Sequence, residues 1–406
     1  MKLPRNPSMT FEHSMLRTAT LCLIAFGAVM VYSASSGTTL LSEGGDSSYY
    51  LKRYLVSAGI GLFLLSFLTR HGLGAVRRLS PVVLAVALGG LVLVLVPGFG
   101  MGVNGARRWL GAGAFQIQPS EIAKLALILY AATFIAANPE RARSLGGVRP
   151  LLIVGMVMAG LVVIEPDLGT TIVICLALGA MLAAGGMKLR HLAMIAGSLV
   201  FLAFVFAILE PYRRQRLTTF LDPWADSGGS GFQSVQAMIA IGSGGPFGVG
   251  LGESVQKLFY LPEAHTDFLF AVLAEELGLV GVAVTLALFI GLVWRSFWIA
   301  QLASRANLRF QAYLAAGFGL WLGCQALINI GVNMGVLPTK GLTLPLMSYG
   351  RSSMIVTLAW VGLLLRVYHE AMQSSRGMAQ ASDRGRRSDD RLEESRPRAT
   401  RIGAEA

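Results

Sequence analysis

The segment Leu261-Pro262-Glu263-Ala264-His265-Thr266-Asp267-Phe268 gathers two acids, a histidine and a threonine directly before a long apolar run. A carboxylate in such a place can take a proton from a substrate hydroxyl. Ionisable residues at the end of a membrane span are functional candidates by default. Asp267 is expected in the first turn of the following helix, where the helix dipole favours a carboxylate. The plainer reading is that Thr266 and Asp267 only cap that helix, and the local pattern does not choose between the two.

Other polar groups lie at comparable positions. Glu275 and Glu276 fall about two turns further along. Adjacent acids at that depth are costly unless paired or hydrated, so at least one is expected to meet a cation on a neighbouring helix. Gln118-Pro119-Ser120-Glu121-Ile122-Ala123-Lys124 reads as a helix start. Glu121 and Lys124 are three apart and share a helical face, as a structural pair or lining a polar cavity. In Glu165-Pro166-Asp167-Leu168-Gly169-Thr170, Pro166 ends one helix, and Asp167 with Thr170 is expected to cap the next.

Arg107, Arg108, Arg213, Arg214, Arg216, Lys257, Lys340 and Arg351 are cations in segments between apolar runs. Guanidinium forks and ammonium charges suit phosphate or pyrophosphate oxygens; the alternative is snorkelling to lipid headgroups. There is no P-loop, zinc-hydrolase helix motif, cysteine pair or serine elbow. ATP-driven transport and zinc hydrolysis therefore lack their usual support.

These residues sit in a chain built for a bilayer. Of its 406 residues, 54% are apolar and 14% charged, and the mean hydropathy is +0.61; soluble domains carry roughly 25% charge. The apolar pattern predicts an all-α polytopic membrane protein with ten spans, at 16–36, 50–69, 80–97, 119–137, 150–165, 168–186, 190–209, 266–294, 309–337 and 351–370. Residues 1–15 form a short segment before the membrane domain, 16–370 that domain, and 371–406 a Ser/Arg/Asp-rich tail expected to be disordered. Cys22, Cys175 and Cys324 lie in apolar runs at irregular spacing, which suits packing better than a disulfide or metal.

The net charge of +12 does not point to nucleic acid, because Lys and Arg sit in short clusters between spans. Arg70, Arg77 and Arg78, then Arg141, Arg143 and Arg149, then Lys188 and Arg190, then Arg295, Arg305 and Arg309 share one side with both termini. The positive-inside rule makes that side cytoplasmic. Of 16 acids within residues 1–370, 13 fall on the opposite side, in outer loops or the outer parts of spans; the substantial outer segments are 97–119, 210–265 and 337–353. That bias, joined by cations against the usual rule, predicts a working outer face. The longest segment, 210–265, carries Gly242-Ser243-Gly244-Gly245-Pro246 and several aromatics. It is too apolar for plain disorder and is expected to lie on the membrane surface.

Several of these segments together resemble the SEDS family of bacterial membrane glycosyltransferases. They are Asn104-Gly105-Ala106-Arg107-Arg108-Trp109, Gln116 through Glu121, Pro166 through Thr170, Phe220-Leu221-Asp222-Pro223-Trp224, Gly250-Leu251-Gly252, and Gln256-Lys257 with Leu261 through Phe268. The wording from Gln256 to His265 is similar to the cell-division branch rather than the elongation branch. One departure stands out: Ser348-Tyr349-Gly350-Arg351-Ser352-Ser353 has Arg351 where the family usually has glycine.

The resemblance implies polymerisation of lipid II outside the cytoplasmic membrane, at the septum, with Asp267 as general base. A lipid pyrophosphate leaving group needs charge stabilisation rather than a second carboxylic acid. Inversion from an α-linked donor to a β-1,4 product is expected, with Arg108, Lys124 and Lys257 on the pyrophosphate. Arg107, Glu121, Glu263, His265, Thr266, Lys340 and Ser348 are the supporting set. No ligand cluster marks a metal site, although a divalent cation, Mg or Mn, is compatible with the chemistry. Implied partners are a class B penicillin-binding protein (an FtsI-type transpeptidase) and other divisome membrane proteins of the FtsQ, FtsL and FtsB types. The rival readings are a lipid II flippase, an elongation-type polymerase and a non-catalytic scaffold; a flippase should string charges across the membrane rather than crowd them at one face.

Overall fold

The computed structural model describes residues 7–42, 45–103, 106–112, 115–209, 219–338 and 341–394. Ten long helices carry the fold: α1 (Pro7–Ser42), α2 (Tyr49–Arg70), α3 (Leu73–Leu95), α4 (Pro119–Ala137), α5 (Arg149–Ile164), α6 (Leu168–Ala184), α7 (Leu189–Leu209), and, after the shorter α8 (Phe232–Ser243), α9 (Leu269–Arg305), α10 (Arg309–Asn333) and α11 (Arg351–Glu394). Seven of them are long and apolar enough to cross a membrane, and α5, α6 and α7 add shorter apolar stretches.

The ten expected spans thus correspond to ten helices, with three differences. Residues 97–119 hold a three-stranded antiparallel sheet, β1 (Gly100–Val103), β2 (Ala106–Ala112) and β3 (Phe115–Ile117), in the order β1-β2-β3. Met101 pairs with Trp109 and Leu110 with Ile117. No apolar run signals these short strands; their backbone groups are satisfied by one another. Second, helix α11 does not stop near residue 370 but continues to Glu394. Residues 395–406 of the expected disordered tail, and 1–6 at the other end, lie outside the described residues.

Third, the span expected at 266–294 is two helical pieces joined at Gly278, whose φ of 61° and ψ of −160° interrupt α9. The break is repaired by the segment after α8. Val249 N donates to Glu275 O (2.9 Å) and Gly250 N to Glu276 O (3.1 Å), while Leu279 N donates to Gly245 O (3.0 Å) and Val280 N to Pro246 O (3.2 Å). In an apolar surround freed peptide groups must find such partners. The segment 244–257 is thus tied to the broken helix by its main chain, with Ser254 and Lys257 buried while Phe247, Val249, Leu251 and Val255 stay exposed.

The core is an aromatic wedge of Phe318, Trp321 and Trp360 between α10 and α11, with Trp321 and Trp360 stacked at 6.1 Å. Small residues let the helices approach, as membrane bundles require: a β-carbon on Gly362 would lie 2.7 Å from Leu65 O of α2. Tyr54 Oη donates to Leu346 O (2.6 Å) and lies 3.0 Å from Ile24 O, tying α1 and α2 to the loop before α11. Arg295, counted above with a cytoplasmic loop, lies buried within α9 with its guanidinium 3.9 Å from the Trp298 ring centre.

Candidate active site

Four segments meet at one end of the bundle: strand β2, the turn between α5 and α6, the approach to α9, and the loop before α11. Arg108 crosses from β2 to the α5–α6 turn, where its Nε donates to Glu165 O (3.1 Å) and its Nη2 to Pro166 O. A β-carbon built on Gly341 would lie 3.3 Å from Asp267 Oδ2 and 3.6 Å from Arg108 Nη1. The carboxylate and the guanidinium therefore flank one small gap that glycine leaves open.

Asp267 lies two residues before α9, not in its first turn, and Phe268 is the residue at the helix start. Its backbone is fixed from two directions. Asp267 N donates to Glu263 O (3.2 Å), and its carbonyl accepts from Asn329 Nδ2 (2.9 Å) and Asn333 Nδ2 (3.0 Å) of α10. The capping reading fails here, since no side-chain cap bond is made at this helix start. The expected lowering by a helix dipole gives way to burial. Desolvation first, then Glu263 and Asp167, raise the Asp267 pKa to about 7, against Arg108, which lowers it. A carboxylate poised near neutrality is suited to proton abstraction.

Glu263 is exposed and accepts a hydrogen bond from Thr266 Oγ1 (3.0 Å). The His265 ring lies 3.9 Å from that of Tyr50, which in turn meets Tyr349 at 4.9 Å. Tyr349 N donates to His265 O (2.9 Å). Burial lowers the His265 pKa, with Glu263 acting the other way, so a neutral imidazole is favoured. Asp167 does what its spacing predicts: Oδ1 accepts from Thr170 N (3.0 Å) and Oδ2 from Thr170 Oγ1 (2.8 Å).

The other candidates are placed differently. Lys124 is buried, with Nζ 2.7 Å from Glu121 Oε1 and 2.8 Å from Gln325 Oε1. Gln325 Nε2 donates to Thr343 O (3.1 Å), so this pair supports the loop that carries Gly341. Lys257 is also buried. Its Nζ donates to Glu276 Oε1 (2.8 Å), Gly252 O (2.6 Å) and Ser33 Oγ (3.1 Å). Glu276 thus finds the cation expected for it, though on the 244–257 segment rather than on a helix. Glu275 accepts from Ser254 Oγ (2.5 Å) and Val255 N (3.1 Å). Ser348 Oγ accepts from Leu344 N (3.0 Å) and shapes the last loop. Arg351 Nη2 donates to Gln116 Oε1, joining α11 to β3, while Arg107 is exposed. Arg213, Arg214, Arg216 and Lys340 lie outside the described residues. Among the described residues no group of three His, Cys, Asp or Glu is arranged to hold a metal ion.

Gly341, Asn329 and Asn333 also shape the site, and none was among the residues expected there. The two asparagines are four apart inside an apolar helix, a spacing that puts both amides on one face.

The family model for FtsW/RodA/SpoVE cell cycle proteins matches residues 13–373. Two relatives carry the name probable peptidoglycan glycosyltransferase FtsW. One, from Thioalkalivibrio sulfidiphilus, is 50% identical over 88% of this chain and 90% of its own length. The other, from Coxiella burnetii, is 47% identical over 86% of this chain and 94% of its own length. Among solved structures, a chain from work on the structural coordination of polymerization and crosslinking by a peptidoglycan synthase complex superposes with a TM-score of 0.72. It is 35% identical and covers 88% of this chain and 98% of that chain. The rod shape determining protein RodA of Thermus thermophilus superposes with a TM-score of 0.64 at 31% identity, covering 88% of this chain and 96% of its own. The chain belongs to the FtsW/RodA/SpoVE family of membrane-embedded SEDS proteins, and within it to the FtsW type.

Proposed function

We propose that this chain, a peptidoglycan glycosyltransferase of the FtsW type, polymerises lipid II with Asp267 as the general base and Arg108 on the pyrophosphate of the donor. The activity follows from the family and its named relatives; the residue roles are read from the site. One observation carries them: the Asp267 carboxylate and the Arg108 guanidinium both border the gap at Gly341.

In the transfer, the acceptor 4-hydroxyl oxygen bonds to the anomeric carbon of the donor as the bond from that carbon to the pyrophosphate oxygen breaks. Asp267 takes the hydroxyl proton. Arg108 meets the negative charge that develops on the departing lipid pyrophosphate. Attack from the opposite face inverts the α-linked donor to a β-1,4 product. Lys124, held by Glu121, supports through Gln325 the loop that carries Gly341, and Lys257, held by Glu276, anchors the segment before Asp267. Their closed pairs with Glu121 and Glu276 support an enzyme over a carrier that passes charge across the membrane.

Septal location in the inner membrane, cytoplasmic termini, and a class B penicillin-binding protein as partner complete the reading. The partner is suggested by the similarity to a chain of a peptidoglycan synthase complex. Purified protein with that partner should convert lipid II to glycan polymer, and Asp267→Asn should not. Polymer formation by the variant at the wild-type rate would overturn the assignment of the base. Movement of lipid II across vesicles without polymer would overturn the enzymatic reading.

A further inference from the structure

The reaction above gives no work to Glu165. Its side chain is 1% exposed, and neither carboxyl oxygen has a hydrogen-bond partner. A buried carboxylate beside a guanidinium ordinarily takes it in a two-pronged pair. Here Arg108 is bound instead by main-chain carbonyls, those of Glu165 itself and Pro166. The same short turn therefore holds Arg108 by its backbone and keeps a carboxyl group in reserve next to it.

We propose that Glu165 is a positioning residue that works as a neutral acid: uncharged, it leaves Arg108 directed at the gap beside Gly341, and ionised, it competes with the anionic donor for the guanidinium. The proposal rests on the reading of Arg108 as the donor-binding cation. Two charged groups face Glu165, Asp167 from its own turn and Arg108 from β2. Asp267, across the gap, is acted on by the same two groups. Burial first, then Asp167, push the Glu165 pKa up to about 8, with Arg108 pulling it down. Glu165 is thus neutral below that pH and acquires charge above it. Donor affinity is strong on the acid side and lost as pH rises through this value, while a base such as Asp267 is already ionised there.

The test is the donor KM and kcat for lipid II polymerisation by the complex with its partner, from about pH 6 to about pH 9.5. Wild-type KM should rise about tenfold per pH unit once Glu165 ionises, with kcat nearly level. Glu165→Gln fixes the neutral state. It should keep near-wild-type activity at neutral pH and show a flat KM on the alkaline side. Glu165→Met, uncharged and without a polar group to bury, should do the same. An alkaline rise in KM that persists in these variants overturns the proposal. So does failure of both to assemble, because a neutral side chain is what the proposal places there. An unchanged KM in Arg108→Ala would instead overturn the assignment of Arg108, and loss of kcat in Asp267→Asn tests the base independently.

Discussion

Asp267 Oδ2 and Arg108 Nη1 converge on the same face of Gly341, each within van der Waals reach of where a side chain there would begin. The base and the cation come from segments far apart in sequence, and the gap between them exists because residue 341 has no β-carbon. Alanine at 341 would press 3.3 Å against the carboxylate and 3.6 Å against the guanidinium. Small displacements of aligned groups are costly to rate. Gly341→Ala should lower kcat/KM about tenfold and Gly341→Val about a hundredfold, with the melting temperature in detergent unchanged. Wild-type kinetics in the valine variant would show that no reacting group passes through the gap.

Asp267 should set the acid limb of the pH profile. Its raised pKa of about 7 means that the carboxylate, the form able to accept a proton, is in the minority below neutrality and dominates above it. Polymerisation should therefore climb in kcat as pH rises through about 7 and then level off, while kcat/KM climbs over the same range and falls again once Glu165 ionises. Asp267→Asn should lose on the order of a hundredfold or more at every pH while retaining its partner. An acid limb centred near the ordinary carboxylate range, about 4, would mean that the base is more solvated in the working enzyme.

The helical bundle was legible because hydrocarbon permits little else, and length and hydropathy alone place ten helices. The Asp167 cap was also legible from its spacing; Asp267 and Arg108 stood out as ionisable residues outside the apolar runs, but their roles were read from the family resemblance rather than from the local pattern. What escaped were features made by tertiary contact. The sheet at residues 100–117 has no apolar pattern of its own. The raised pKa of Asp267 follows first from burial and then from Glu263 and Asp167, an environment that its own helix start does not reveal. The Glu121–Lys124 pair was legible from its spacing, though not Gln325 beside it; Lys257 read as an outward cation, yet Glu276 and Ser33 reach it from elsewhere in the chain. Spacing within one helix names a partner, but it cannot name one that arrives from a distant segment.

Lys124 distinguishes structural from substrate contact. Its ammonium and the Glu121 carboxylate are both buried. Removing one partner leaves the other buried and unpaired, at about 3–5 kcal/mol. Lys124→Met should thus lower the melting temperature sharply, and the double variant Glu121→Gln with Lys124→Met should recover much of the loss. If Lys124 gripped the donor directly, the single variant would stay stable and lose affinity instead, and the second substitution would restore nothing.

Gly278 carries a strict backbone demand. With φ 61° and ψ −160° it occupies a region essentially restricted to glycine. A β-carbon there would lie 2.3 Å from Gly248 N and 2.7 Å from Phe247 N, main-chain atoms that cannot rotate away. Gly278→Ala must therefore disturb the join between α9 and the 244–250 segment. The four hydrogen bonds that repair the broken helix would open with it. Ser254 and Lys257 follow directly in the same segment, and both are buried on Glu275 and Glu276. Ser254→Cys, in a background with Cys22, Cys175 and Cys324 replaced, reports on this. A water-soluble thiol reagent should label the cysteine slowly in the parent, where residue 254 is 2% exposed, and rapidly after Gly278→Ala. Gly291→Ala in the same helix meets nothing within 4 Å and should label like the parent. Equal labelling of the Gly278 and Gly291 variants would show that the segment holds its place without the glycine, and that the kink is not what anchors it.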